Sequence, residues 1–267
     1  MEAVKEIPER IVMNSEVVID INELKKDYQR GAEKTEVLKG ITVEILDKDF
    51  TVIMGSSGSG KSTFLYCISG MDGITEGNVS FLKQDIGSMK EDKLSLLRRK
   101  NMGFVFQQMN LMPNLNLFEN IVLPGFLLNV RPGKEIKERA RMLMQQFHIE
   151  DLEERMPTQI SGGQMQRAAI ARALINEPEI IFADEPTGAL NSTSGKEVLD
   201  VLTMCNTNGQ SILMVTHDIK AAQRANRIIY LSDGYIKGEK NLKPYTQEKN
   251  IKDREDEVLT WLLEMGW

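Results

Sequence analysis

The chain has 267 residues, 41% hydrophobic and 27% charged, enough for one large or two modest domains with buried cores, which excludes a disordered chain. Its 33 Lys and Arg against 39 Asp and Glu give a net charge of −6, so no global basic field serves nucleic acid or anionic lipid and the main ligand has to be gripped locally. The one sustained apolar stretch, Ile121 to Val130, contains Pro124 and Gly125 and falls short of the roughly 20 residues that cross a bilayer.

In chain order, Met1 to Arg10 set Glu2, Glu6 and Glu9 against Lys5 and Arg10 with no apolar core, so a secretory signal is not expected and a cytosolic location follows. Residues 1–15 read as an N-terminal extension, disordered or packed on the core. Ser15 to Leu24 and Val37 to Leu46 read as extended segments joined by the charged turn Arg30 to Lys34, an antiparallel β-layer. Phe50 to Met54 reads as a short buried strand that stops at Gly55, and the run after Lys61 as a helix ended by Gly70. From Glu91 to about Ala173 the pattern is helical, with Leu94 and Leu97, then Ile136 to Phe147, broken by Pro113, Pro124, Pro132 and Pro157. This middle third, about 90–175, is expected to be an inserted helical subdomain. Strand patterns return at Glu179 to Asp184, Ser211 to Thr216 and Ile228 to Leu231, with a helix from Gly195 to Met204. The alternation predicts an α/β fold, a mainly parallel sheet covered by helices.

Lys240 to Glu257 is polar, and beyond it Val258, Trp261, Leu262 and Met265 occupy one face of a short helix, with Trp267 following. A helix folded back on its own domain is preferred there over a partner or dimer contact. Cys67 and Cys205 lie far apart without metal-ligand spacing and read as small buried hydrophobes.

The segment Gly55, Ser56, Ser57, Gly58, Ser59, Gly60, Lys61, Ser62, Thr63 follows a strand and opens a helix. Its small residues let backbone N–H groups curl round a polyphosphate, with the helix pointing its positive end at the same place. Lys61 can bridge the outer phosphates, and the Ser62 hydroxyl is placed to ligate Mg²⁺. A flexible Gly/Ser turn would not need Lys-Ser at the helix start. The apolar run Ile180 to Ala183 ends in Asp184 and Glu185, which face opposite ways on a strand. Asp184 suits the Mg²⁺ shell, and Glu185, if near the terminal phosphate, suits a general base for the attacking water. Ordinary solvated acids at a strand end are the alternative.

A third motif, Ile160-Ser161-Gly162-Gly163-Gln164, starts a helix with a Ser at the N-cap position, a second anion site on one chain. Here the sequence resembles the ATP-binding cassette (ABC) ATPases, whose signature is Leu-Ser-Gly-Gly-Gln; Ile160 replaces the Leu. The resemblance runs from about Val17 to Gly238 and implies a P-loop ABC cassette over 16–239, with a C-terminal extension at 240–267. It implies that Tyr28 stacks on adenine, that Gln107 reaches Mg²⁺ and links to the helical subdomain, and that His217 contacts the γ-phosphate. Gln108 beside Gln107 leaves that assignment ambiguous by one position, and His148 matches no motif. Asn191 stands where the family commonly has Asp, a change expected to retune communication between sites.

The resemblance further implies a head-to-tail homodimer around two ATP, each held between Lys61 of one subunit and Ser161 to Gln164 of the other. With no span of its own, the chain is expected on the cytoplasmic side of a membrane, bound to separate integral permease subunits. Its short cassette looks most like the ATPases of the macrolide-export, lipoprotein-release and bacitracin-export group, which suggests antimicrobial peptide, antibiotic or lipid-linked cargo. A non-transporting ABC ATPase coupled to a membrane protein in cell-wall signalling or division is the competing function. A soluble nucleic-acid factor is disfavoured by the lack of a basic face.

Overall fold

The computed structural model describes residues 16–31, 33–245 and 251–267. The expected N-terminal extension, 1–15, lies outside the described residues, as does part of the polar stretch at 246–250. Strands β1 (Val17–Arg30) and β2 (Glu33–Leu46) form a long antiparallel hairpin. The expected turn at Arg30 to Lys34 is therefore shorter than its charge suggested. The charged residues pair across the strands instead, Lys34 Nζ reaching Asp27 Oδ2 at 2.8 Å, so they belong to a solvated sheet face.

Next come β3 (Phe50–Met54), helix α1 (Lys61–Ile68), β4 (Glu76–Phe81), β5 (Gln84–Asp85), α2 (Glu91–Asn101) and β6 (Met102–Phe106). Helices α3 (Leu117–Leu128) and α4 (Gly133–Gln146) and two 3₁₀ turns lead to α5 (Gly162–Leu174). The chain closes with β7 (Ile180–Asp184), α6 (Ser192–Thr207), β8 (Ser211–Thr216), α7 (Ile219–Ala222), β9 (Arg227–Ser232), β10 (Tyr235–Asn241) and α8 (Ile251–Glu264).

The stretch 90–175 read as helical thus contains a strand. β6 pairs in parallel with β7 at the edge of the main sheet, Phe106 opposite Asp184. Nor does Pro124 break a helix; it sits inside α3. A proline removes one N–H from the helical ladder, but Ile121 and Val122 are buried in the core on the preceding turn, and packing of that face holds the helix together.

The main sheet has the order β10-β9-β3-β8-β7-β6, all parallel except β10, and a second, antiparallel sheet has the order β2-β1-β4-β5. Alternate residues of the parallel strands enter two cores. Val52, Ile181 and Met214 pack with the helical layer, while Ile53, Phe182 and Val215 pack with α1 and the antiparallel sheet. Burial on both faces explains the uninterrupted apolar runs. The C-terminal ends of β3, β7 and β8 then open onto one edge, where parallel sheets place ligands.

The amphipathic C-terminal helix folds back on its own domain. Val258 and Leu262 are fully buried, and Met265 packs so close to Gly238 of β10 that a Cβ there would lie 2.8 Å from its sulfur. The Arg254 guanidinium donates to the carbonyls of Gln223, Ala225 and Lys243.

Candidate active site

β3 ends at Met54, and the loop that follows is shaped by two glycines. A Cβ on Gly55 would lie 2.2 Å from the Leu231 carbonyl oxygen, and Gly60 holds φ +103 at the N-cap of α1. A cavity of about 600 Å³ opens above this loop, lined by Ser56, Ser57, Gly58, Gly60, Lys61, Ser62 and Thr63. Glu185 and His217 line it from the ends of β7 and β8. Of the predicted loop residues, Gly55 and the buried Ser59 lie behind this surface.

The Lys61 ammonium is buried and donates to Gly55 O at 2.8 Å and Ser56 O at 2.9 Å. Burial lowers its pKa from the usual lysine value, with Glu185 and Asp184 opposing the shift. Asp184, also buried, accepts hydrogen bonds on both oxygens: Ser62 Oγ donates to Oδ1 at 3.0 Å and the Tyr66 hydroxyl to Oδ2 at 2.7 Å. Burial, followed by the bond to Asp184, pushes the Tyr66 phenol up to about 12, so it remains a donor. Tyr66 carried no motif in the sequence; its only signal is its place four residues after Ser62, on the same helix face.

Glu185 has φ +44 and donates its N–H to Val215 O at 3.0 Å. A glutamate held in the left-handed region is uncommon, a strain of the kind that clusters at functional sites. Its Oε1 lies 3.1 Å from His217 Nδ1. An ionised carboxylate only accepts hydrogen bonds, so it selects the tautomer with the proton on Nδ1 and leaves Nε2 free.

Gln107 follows β6 directly and lies against the loop after Asp184. A Cβ on Gly188 would come within 2.9 Å of its Nε2. The Gln107 side chain thus lies beside Gly188, four residues past Asp184. It does not line the cavity. Tyr28 also stands outside the lining, its ring exposed, with its hydroxyl donating to Asp72 Oδ2 at 2.6 Å and Lys26 Nζ 4.7 Å from the ring centroid. Burial and Asp72 push that phenol up to about 12, and the cavity residue Thr63 is near enough to act on it.

Ser161, Gly162, Gly163 and Gln164 lie elsewhere in the chain and do not line the cavity. Gln164 N donates to Ser161 Oγ at 3.3 Å, and Ser161 N to Gln164 Oε1 at 2.8 Å, a capping box at the start of α5. Gly162 and Gly163 pack against Leu190 and Ser194, where Cβ atoms would approach to 3.0 and 2.8 Å. Trp267, beyond the end of α8, lines the phosphate-loop cavity, a placement that follows from the docking of α8 and not from any motif.

Asp184, the Ser62 hydroxyl bonded to it and the Gln107 amide beside Gly188 carry oxygen atoms suited to a hard cation such as Mg²⁺. No cluster of His, Cys, Asp and Glu able to hold another metal is found among the described residues. Among those residues, no helix is long and apolar enough to cross a membrane.

Comparison with known proteins agrees with this geometry. The family model described as "ABC transporter" matches residues 38–188. The lipoprotein-releasing system ATP-binding protein LolD of Aquifex aeolicus is 44% identical over 204 residues, 76% of this chain and 91% of that protein. The macrolide export ATP-binding/permease protein MacB of Bdellovibrio bacteriovorus is 39% identical over 246 residues, 91% of this chain. The chain spans only 37% of that MacB's length. A dimeric structure of the ATP-binding cassette MJ0796 in a post-hydrolysis state, bound to ADP and Pi, superposes with a TM-score of 0.78 at 40% identity. It covers 85% of this chain and all of its own; the MJ0796 protein is from Methanocaldococcus jannaschii. The order of motifs along the chain, the cassette fold and these matches lead to one conclusion: the chain belongs to the ABC transporter family and is an ABC ATPase.

Proposed function

We propose that this ATPase closes head-to-tail around two ATP molecules and drives a separate membrane permease that exports or extracts antimicrobial peptide, antibiotic or lipid-linked cargo. The observation that carries the reading is the convergence of Lys61, Ser62, Glu185 and His217 on one cavity above the glycine-rich loop. Backbone amides of the loop and the N-terminus of α1 receive the phosphates. The Lys61 ammonium exchanges its two carbonyl partners for phosphate oxygens, which make stronger, charge-assisted bonds. Ser62, Asp184 and Gln107 hold Mg²⁺, which when bound neutralises charge on the β- and γ-phosphates. Glu185 removes a proton from the attacking water, and His217, oriented by its Nδ1 bond to Glu185, points Nε2 toward the γ-phosphate. Tyr28 supplies the adenine platform.

The four signature residues lie away from the cavity of their own chain, so a second copy is needed to bring an α5 N-terminus to the nucleotide. The dimeric form of MJ0796, with ADP and Pi bound, supports this arrangement. Loss of the γ-phosphate removes the charge that both helix ends share, and the pair opens.

A groove of about 430 Å³ beside β6, lined by Phe104 and Phe106 together with Arg98, Arg99 and Arg172, fits an amphipathic cytoplasmic segment of the permease. Docking there places the chain on the cytoplasmic side of the membrane, next to Gln107. The names of LolD and MacB support lipid-linked or antibiotic cargo. Calorimetry tests the core of the reading: the wild-type chain binds ATP and Lys61→Ala does not. Equal binding by both would overturn the phosphate cradle. Co-isolation with a membrane permease, and ATP-dependent transport by that pair, tests the partner; capture of a cell-wall hydrolase regulator without transport would contradict it.

A further inference from the structure

We propose that Tyr66 is a positioning residue for the metal-binding carboxylate Asp184, an inference that rests on the ATPase reading above. Ser62 and Tyr66 lie four residues apart on α1 and so share one face of that helix. From that face they reach the two different oxygens of Asp184, at 3.0 Å on Oδ1 and 2.7 Å on Oδ2. Two bonds from one rigid helix hold the plane of the carboxylate as well as its position.

The two restraints are unequal once a cation is present. The Ser62 oxygen is itself a ligand in this reading: a lone pair goes to the cation while its O–H still donates to Asp184, so its position is set by the metal as well as by the helix. The Tyr66 hydroxyl has no such competing duty. Its ring is partly buried and packs against the core that α1 shares with the antiparallel sheet, so the phenol is held from behind and its O–H remains on Oδ2. Tyr66 thus fixes the plane of the Asp184 carboxylate whether or not a cation is bound, while the Ser62 oxygen would adjust to the cation it holds. A carboxylate without that restraint is free to rotate, and ordering it again costs entropy that weakens the metal site.

The test is a Mg²⁺ titration of the affinity for the slowly hydrolysed analogue AMP-PNP, in the wild type and in Tyr66→Phe, with thermal melting as a check on folding. The phenylalanine keeps the ring and removes only the hydroxyl. In EDTA both proteins are expected to bind AMP-PNP equally. With metal, Tyr66→Phe is expected to need about tenfold more Mg²⁺ for half-maximal tightening, the lower end of what a hydrogen bond to a charged group is worth. Mn²⁺ substituted for Mg²⁺ gives a second readout, with a broader electron paramagnetic resonance spectrum expected in the variant. An unchanged metal requirement with an unchanged Mn²⁺ spectrum would overturn the role of Tyr66 alone. A wild type whose AMP-PNP affinity ignores Mg²⁺ would instead overturn the metal-site reading beneath it.

Discussion

His217 Nδ1 lies 3.1 Å from Glu185 Oε1, across the C-terminal ends of the adjacent parallel strands β7 and β8. The pair couples a backbone-strained carboxylate to an imidazole at the mouth of the phosphate-loop cavity. If Glu185 takes the proton of the attacking water, Glu185→Gln loses about 10²–10⁴ in turnover. His217→Ala loses activity in the same assay because the carboxylate is no longer oriented. Steady-state ATP hydrolysis checks both, and wild-type turnover in Glu185→Gln would remove Glu185 from the chemistry.

Gly188 has room for Gln107 only because it lacks a Cβ, which would lie 2.9 Å from Gln107 Nε2. The clash is with the exposed end of a side chain, so Gly188→Ala should change stability by less than about 0.5 kcal/mol. Gln107 is displaced from the acidic strand end, however, and ATP hydrolysis should fall severalfold. Denaturant melts and turnover measured on the same preparation separate the two effects; unaltered turnover would detach Gln107 from the site.

Helix α8 is part of the core, since Leu262 and Val258 are fully buried among residues of the helical layer. Leu262→Ala is expected to cost about 2–5 kcal/mol, read from urea unfolding. The same docking brings Trp267 to the nucleotide cavity. In a Trp261→Phe background, where Trp267 is the remaining tryptophan, its fluorescence should change on adding ATP, and a silent signal would place the indole away from bound nucleotide.

Burial pushes the thiols of Cys67 and Cys205 from 9.0 up to about 12. The folded chain therefore keeps protons that the unfolded chain releases. Their contribution to stability is complete below about pH 9 and is lost as pH rises toward 12. Urea midpoints should fall across that window, less steeply in Cys67→Ala/Cys205→Ala. At pH 8 a maleimide should label neither thiol in the native protein and both in denaturant.

Much of the nucleotide site could be read before any coordinates because its motifs are local. Gly55 to Thr63 needs a strand before it and a helix after it, and β3 and β7 announce themselves by apolar runs buried on both faces. β6 escaped because α2 passes into it at Met102 with no Gly or Pro between them. Its Gly103 is a packing residue, where a Cβ would lie 2.8 Å from the Ala173 carbonyl oxygen. Tyr66 and Trp267 were invisible for another reason. One meets a carboxylate 118 positions away, the other reaches the cavity only through the docking of a terminal helix, and no periodicity encodes contacts of that range.

The central claim is that ATP joins two copies of this chain, each lending its α5 N-terminus to the other's phosphate loop. Sedimentation velocity on Glu185→Gln, with and without saturating Mg·ATP, tests it most directly. The account predicts a monomer without nucleotide and a dimer with ATP, dispersed by Ser161→Arg or by ADP. A chain that binds ATP yet sediments as a monomer at saturation would contradict it.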